Sequence, residues 1–168
     1  MPNWCSNSTL ITGSQTEMSQ LKNIIIVDEA VKITNLLPQP TDVEPTVQWQ
    51  WENWGIKWGD CDSHVTDQKD DSLSLTYETP WGPFEPHFWQ KVSQQFPSLV
   101  FSTTFDEGGM CFHGVMAIRN GEVLYEETRD YPDVPEDFDW NDPEQDDSRQ
   151  QQIWDIMDQM TSNMDAVS

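Results

Sequence analysis

Basic residues are scarce in this chain. Its 168 residues hold 8 lysines and arginines against 30 aspartates and glutamates, a formal net charge of −22. A chain this poor in cations cannot neutralise a phosphate backbone over a broad face. That excludes direct DNA or RNA binding as a main activity, and adhesion to an anionic membrane with it. Cysteine is nearly as rare. Cys5, Cys61 and Cys111 are odd in number and form no Cys-x-x-Cys pair, so they read as reduced thiols in a cytoplasmic setting. Long apolar runs are missing too. No stretch approaches the roughly 18 apolar residues of a membrane span, and the N-terminus shows neither the basic nor the apolar region of a secretion signal. Catalytic signatures are also lacking: there is no Gly-x-Ser-x-Gly, no phosphate-cradling glycine loop and no His-Glu-x-x-His, and His64, His87 and His113 lie apart. No cofactor is expected, and the chain reads as a non-enzyme.

The carboxylates that are present are unevenly placed. Glu126–Ser168 carries 14 acidic and 2 basic residues, and so more than half of the net charge in about a quarter of the length. The composition divides the chain into an α+β domain over 1–127, an acidic aromatic-dotted segment over 128–152 and an amphipathic Met-rich helix over 153–164. Three prolines and few aliphatic residues in "EETRDYPDVPEDFDWNDPEQDDSRQQQ" predict a poorly ordered or loosely draped segment. Beyond it, Ile153, Met157, Met160 and Met164 recur at helical steps and give one apolar face. That face either folds back on the domain or serves as a homodimer or partner surface.

Upstream, "WCSNSTLITG" reads as a strand ended by Gly13, and Thr16 is placed to cap a helix over "EMSQLKNIII". "VKITNLLPQP" reads as a short extended piece. "SLSLTYET" alternates as a strand. "PHFWQKVSQQF" follows as a helix with Phe88, Val92 and Phe96 on one face, then "PSLVFSTTF", "MCFHGVMAI" and "VLYEE" form a meander whose last turn is the hairpin pair Asn120-Gly121. Strand, helix, strands, helix, meander predicts an α+β ferredoxin-like sandwich: an antiparallel sheet with helices on one face, plus the acidic extension and terminal helix.

"WQWENWGIKWGDCDSH" sets four tryptophans before a group of potential metal ligands. Trp49 and Trp51 alternate as on a strand, and Trp49, Trp51, Trp54 and Trp58 together have the apolar area to dominate a small core or to form a surface platform, of which core is the expected reading. Asp60, Cys61, Asp62 and His64 fit a zinc site only if completed by another pair, for which Cys111 and His113 on one strand face are the best placed. A closed site is not expected.

"MPNWCSN", "NWGIKW", "TPWGPF", "FPSLVF" and "GMCFHG", in that order over 1–127, resemble the YubB-type ferredoxin-like proteins carried by phages and conjugative plasmids of enterobacteria. The resemblance implies the sandwich fold and a mobile-element setting in a bacterial cytoplasm, and carries over no catalytic residues. With the charge, it leads to an expected function: an inhibitor that binds a basic host protein or nucleoprotein complex, partly by mimicking DNA, as anti-restriction and anti-CRISPR proteins do. The contact residues expected are Asp133, Glu136, Asp137, Asp139, Asp142, Glu144, Asp146 and Asp147, with Phe138 and Trp140 as apolar anchors. The alternatives are a small enzyme or metal protein using the Cys, His and Asp residues, and a structural or oligomerising protein whose charge serves solubility.

Overall fold

The computed structural model describes residues 1–42, 44 and 46–168. Along β1 (Trp4–Thr12) burial alternates residue by residue, so Cys5, Asn7, Thr9 and Ile11 face inward. The Ser14 hydroxyl accepts the Glu17 N–H at 3.3 Å and starts α1 (Gln15–Ile25), which buries Met18, Leu21 and Ile25. The cap therefore falls on Ser14 and not on Thr16, which lies inside the first turn. A small hairpin of β2 (Ile26–Val27) and β3 (Ala30–Val31) leads into a 3-10 turn at Ile33–Leu36, where an extended piece was expected. The reason is Asp60, whose carboxylate accepts the Ile33 and Thr34 N–H groups at 3.0 and 2.9 Å and caps the turn.

The tryptophan-rich stretch is also not a strand. Thr46 accepts the Trp49 N–H at 3.1 Å and opens the short helix α2 (Val47–Asn53). Trp49 meets Trp54 edge to face at 5.3 Å, and the Trp54 indole donates to the Leu37 carbonyl at 2.9 Å. Trp54 is core and Trp49 packs against it, whereas Trp51 and Trp58 are exposed. The all-core expectation for the four thus holds for half of them.

The remaining elements are β4 (Cys61–Gln68), β5 (Ser72–Pro80), α3 (Pro86–Gln95), β6 (Val100–Glu107), β7 (Phe112–Arg119), β8 (Glu122–Asp130) and α4 (Pro143–Asp165). The six long strands form one antiparallel sheet in the order β4-β5-β1-β6-β7-β8. β1, α1, β4, β5, α3 and β6 make the βαββαβ unit of a ferredoxin-like sandwich, and β7 and β8 widen it past β6. The β7–β8 turn has Asn120 and Gly121 at φ 48° and 80°, the left-handed pair that a two-residue hairpin favours.

On the inner face, Leu73, Leu75, Tyr77, Phe101 and Met116 pack under α1 and α3, with Phe84 stacked on Phe88 at 4.3 Å. A polar line crosses this core, paired internally except at the Asn7 side-chain carbonyl: Thr9 meets Thr103 at 2.8 Å and the Tyr77 hydroxyl at 3.0 Å, and the Asn7 amide donates to the Cys5 carbonyl and to Thr79. Gly114 is small because Phe105 lies across it; a Cβ there would meet that ring at 2.4 Å. The outer face is polar over β5, β1 and β6, where Ser6, Ser8, Thr76, Glu78, Thr104 and Asp106 show. Over β7 it is apolar, and α4 covers it.

Candidate functional site

The helix expected from Ile153 begins at Pro143. Asp142 is its N-cap, accepting the Glu144 N–H at 3.0 Å and the Gln145 side-chain amide at 2.9 Å, and Pro143 occupies the first helical position. Those two hydrogen bonds hold the Asp142 carboxyl below the usual carboxylate range. Glu144 and Asp146 follow in the first turn, where the helix dipole favours negative charge. Ile153, Met160 and Met164 then bury their side chains, Met160 and Met164 packing with Val115 and Ala117 of β7. The apolar face that a homodimer would use is covered by the chain's own sheet, and Trp154 is left exposed on the helix.

Between β8 and α4 the chain is held by a cation between two aromatic rings. The Tyr131 N–H donates to the Cys111 carbonyl at 2.7 Å, and its hydroxyl donates to Asp106 at 2.6 Å. Arg149, from the second turn of α4, lies 5.8 Å from the Tyr131 ring and 5.7 Å from that of Trp140, which meets Phe138 at 4.8 Å. Asp139 donates its N–H to Gln145 at 3.1 Å. These contacts tie the segment near its two ends, through Tyr131 to Asp106 and Cys111 and through Trp140 to Arg149, while no residue of 131–142 is fully buried and 133–137 are exposed.

The expected contact residues lie on this connection and on the start of α4. Asp133, Glu136, Asp137 and Asp139 are exposed on the 131–142 connection, and Glu144, Asp146 and Asp147 are exposed at the start of α4. Asp142 is half-buried and engaged as the cap, so it supports the surface more than it presents charge. Phe138 is half-buried, while Trp140 keeps 64% of its surface exposed. Arg149, which sequence reading passed over, is the residue that ties the aromatics down; its signal would have been a lone cation within an acidic run.

The metal candidates do not meet. Cys61, Asp62 and His64 lie on β4 at one edge of the sheet, and His113 lies on β7 with β5, β1 and β6 between. Cys111 is in the β6–β7 turn at φ 60°, not on the strand. No group of three or more His, Cys, Asp or Glu able to hold a metal occurs among the described residues. His64 instead pairs with Asp62 at 3.0 Å, and both are exposed. Thiol chemistry is disfavoured at two sites. Burial pushes the Cys5 thiol up to about 12, and burial with the neighbouring Asp60 and Asp62 charges raises Cys61.

His113 is fully buried, and neither ring nitrogen has a partner among the described residues. It faces Asp106, Arg129 and the Tyr131 ring, 5.3 Å away. Burial lowers its pKa; Asp106 opposes this and Arg129 adds to it. As pH falls below the ordinary histidine value of about 6.5, the unfolded chain takes up a proton that the native state refuses, so stability is lost. Comparing urea midpoints at about pH 7.5 and about pH 5.5 should show this loss, and His113→Phe, which forfeits no hydrogen bond, should reduce it. The part that remains belongs to His87, shifted the same way by burial and Lys91.

No helix among the described residues is long and apolar enough to cross a membrane. Residues 53–157 match the family model described as the ferredoxin-like domain in Api92-like protein, a match that runs through the acidic segment into α4. The crystal structure of a protein api92 from Yersinia pseudotuberculosis is similar at 15% identity and a TM-score of 0.48, over 62% of this chain and 40% of that one. The chain thus spans less than half of that protein's length, and no curated protein matches it. The matched residues make up more than half of the chain, which therefore belongs to the family of ferredoxin-like domains in Api92-like proteins.

Proposed function

We propose that this is an acidic inhibitor that acts by contact, encoded by a phage or conjugative plasmid, which occupies a basic surface of a defence or nucleic-acid-processing complex in the host cytoplasm. The observation that carries the reading is the gathering of seven exposed carboxylates on the 131–142 connection and the first turns of α4. Duplex DNA presents one negative charge per about 1.7 Å of axis, and proteins that bind it display matching arrays of lysine and arginine. Carboxylates set along a helix start and a connection tied near both its ends can occupy such an array at a lower ordering cost than a free tail. The mobile-element setting rests on the motif resemblance, and the charge makes a basic partner the natural one.

Part of the charge has a simpler use. Asp62 and Asp67 on β4, and Glu122, Glu126 and Asp130 on β8, lie on the two edge strands, where charge discourages sheet-to-sheet pairing. The residues of 131–147 guard no edge and are the ones left for a partner. The test is capture from a bacterial lysate by the full chain and by a variant with Asp133, Glu136, Asp137, Asp139, Glu144, Asp146 and Asp147 changed to their amides. A basic protein held at low salt, released at high salt and missed by the variant is the expected result. Equal capture by both chains at every salt concentration would remove the electrostatic reading.

A further inference from the structure

A groove of about 290 Å³ lies on the inner face beside the start of α3, lined by none of the carboxylates of 131–147. Trp51, Trp81, Pro83 and Phe112 give it aromatic and apolar walls, and Glu85 and Glu126 are its two charged lining residues. Both are exposed, and neither is paired with a cation among the described residues. One wall is strained: Trp81 sits at φ 64° and its neighbour Trp58 at φ 63°, their rings 5.4 Å apart. Bulky residues seldom take this left-handed conformation, and such strain gathers at ligand clamps. The Trp81 ring already holds a cation, with Lys57 Nζ 5.3 Å from its centroid.

Aromatic faces beside unpaired carboxylates select a flat, weakly hydrated cation over a compact ammonium. We infer that this groove takes an arginine side chain from an extended segment of a partner protein, its guanidinium stacked on Trp81 in place of Lys57, with Glu85 and Glu126 as counter-charges. The site rests on the proposed function only in expecting a basic partner, since its residues include none of the seven carboxylates of 131–147.

Gly82 supplies the variant. It lies in the groove wall, its φ is outside the left-handed region, and a Cβ added there meets nothing within 4 Å. Gly82→Trp should therefore block the groove without disturbing the fold. The probe is a blocked tripeptide with a central arginine between glycines, titrated into the isotopically labelled full chain while the indole N–H signals are followed. Saturable shifts are expected at Trp51 and Trp81. Affinity should fall about tenfold or more in Gly82→Trp and in the Glu85→Gln/Glu126→Gln pair, and the lysine tripeptide should bind more weakly. The amide variant of the acidic segment should bind the tripeptide like the parent chain. Shifts confined to α4, or unchanged binding in Gly82→Trp, would overturn the site; loss in the amide variant alone would overturn it too, while leaving the acidic-segment proposal standing.

Discussion

Trp89→Ala is expected to lower the free energy of unfolding by about 4 kcal/mol, a large share of the 5–15 kcal/mol typical of a single domain. The Trp89 indole is fully buried on α3, 4.9 Å from Phe88, 5.3 Å from Phe101 and 6.0 Å from Phe84, and so joins the helix to β6. Alanine would leave a cavity among rigid rings that cannot collapse into it. Trp89→Phe should cost much less. The indole N–H has no partner among the described residues, so the smaller ring deletes a buried unpaired donor, a gain of about 1–3 kcal/mol against the lost volume. Urea denaturation with an unchanged m-value would measure both, and equal losses for the two variants would contradict this packing.

Met160→Ala is expected to cost about 3 kcal/mol, and to cost it locally. Met160 is fully buried where α4 crosses Val115 and Ala117, in an apolar cluster separate from the one under α1 and α3. Hydrogen exchange should therefore lose protection along α4 while β1 and β6 keep theirs. The Arg149 contacts with Tyr131 and Trp140 depend on the same docking, so the 131–142 connection should loosen with the helix. Uniform loss over the whole chain would mean that α4 and the sandwich unfold as one unit.

Most of the sandwich is legible in the sequence, because burial on one face imprints a period. The alternation of "SLSLTYET" became β5, Phe88 and Val92 became the buried face of α3, and Asn120-Gly121 became the turn they signal. The Trp-rich stretch misled because Trp49 and Trp51, two apart, fit the spacing of a strand face, while the deciding signal was Thr46 as an N-cap. The ties of the acidic segment were hidden for another reason. Composition measures what a segment can bury alone, and this one is held by Asp106 of β6, by the Cys111 carbonyl in the β6–β7 turn and by Arg149 of α4. Even so, Asp142-Pro143-Glu144 was a readable helix start: a capping carboxylate, a proline at the first position and an acid in the first turn. The exposed carboxylates themselves were legible. The groove beside Trp81 was not, since it joins residues from α2, the β5–α3 turn, β7 and β8.

The most direct test of an acidic contact inhibitor is the binding isotherm of the full chain with its captured partner, repeated from about 50 mM to about 200 mM salt. Contact through the carboxylates of 131–147 predicts an affinity that falls steeply with salt, and a much shallower dependence for the chain carrying amides at those positions. Affinity that holds across the salt range, or that is the same for the two chains, would contradict it.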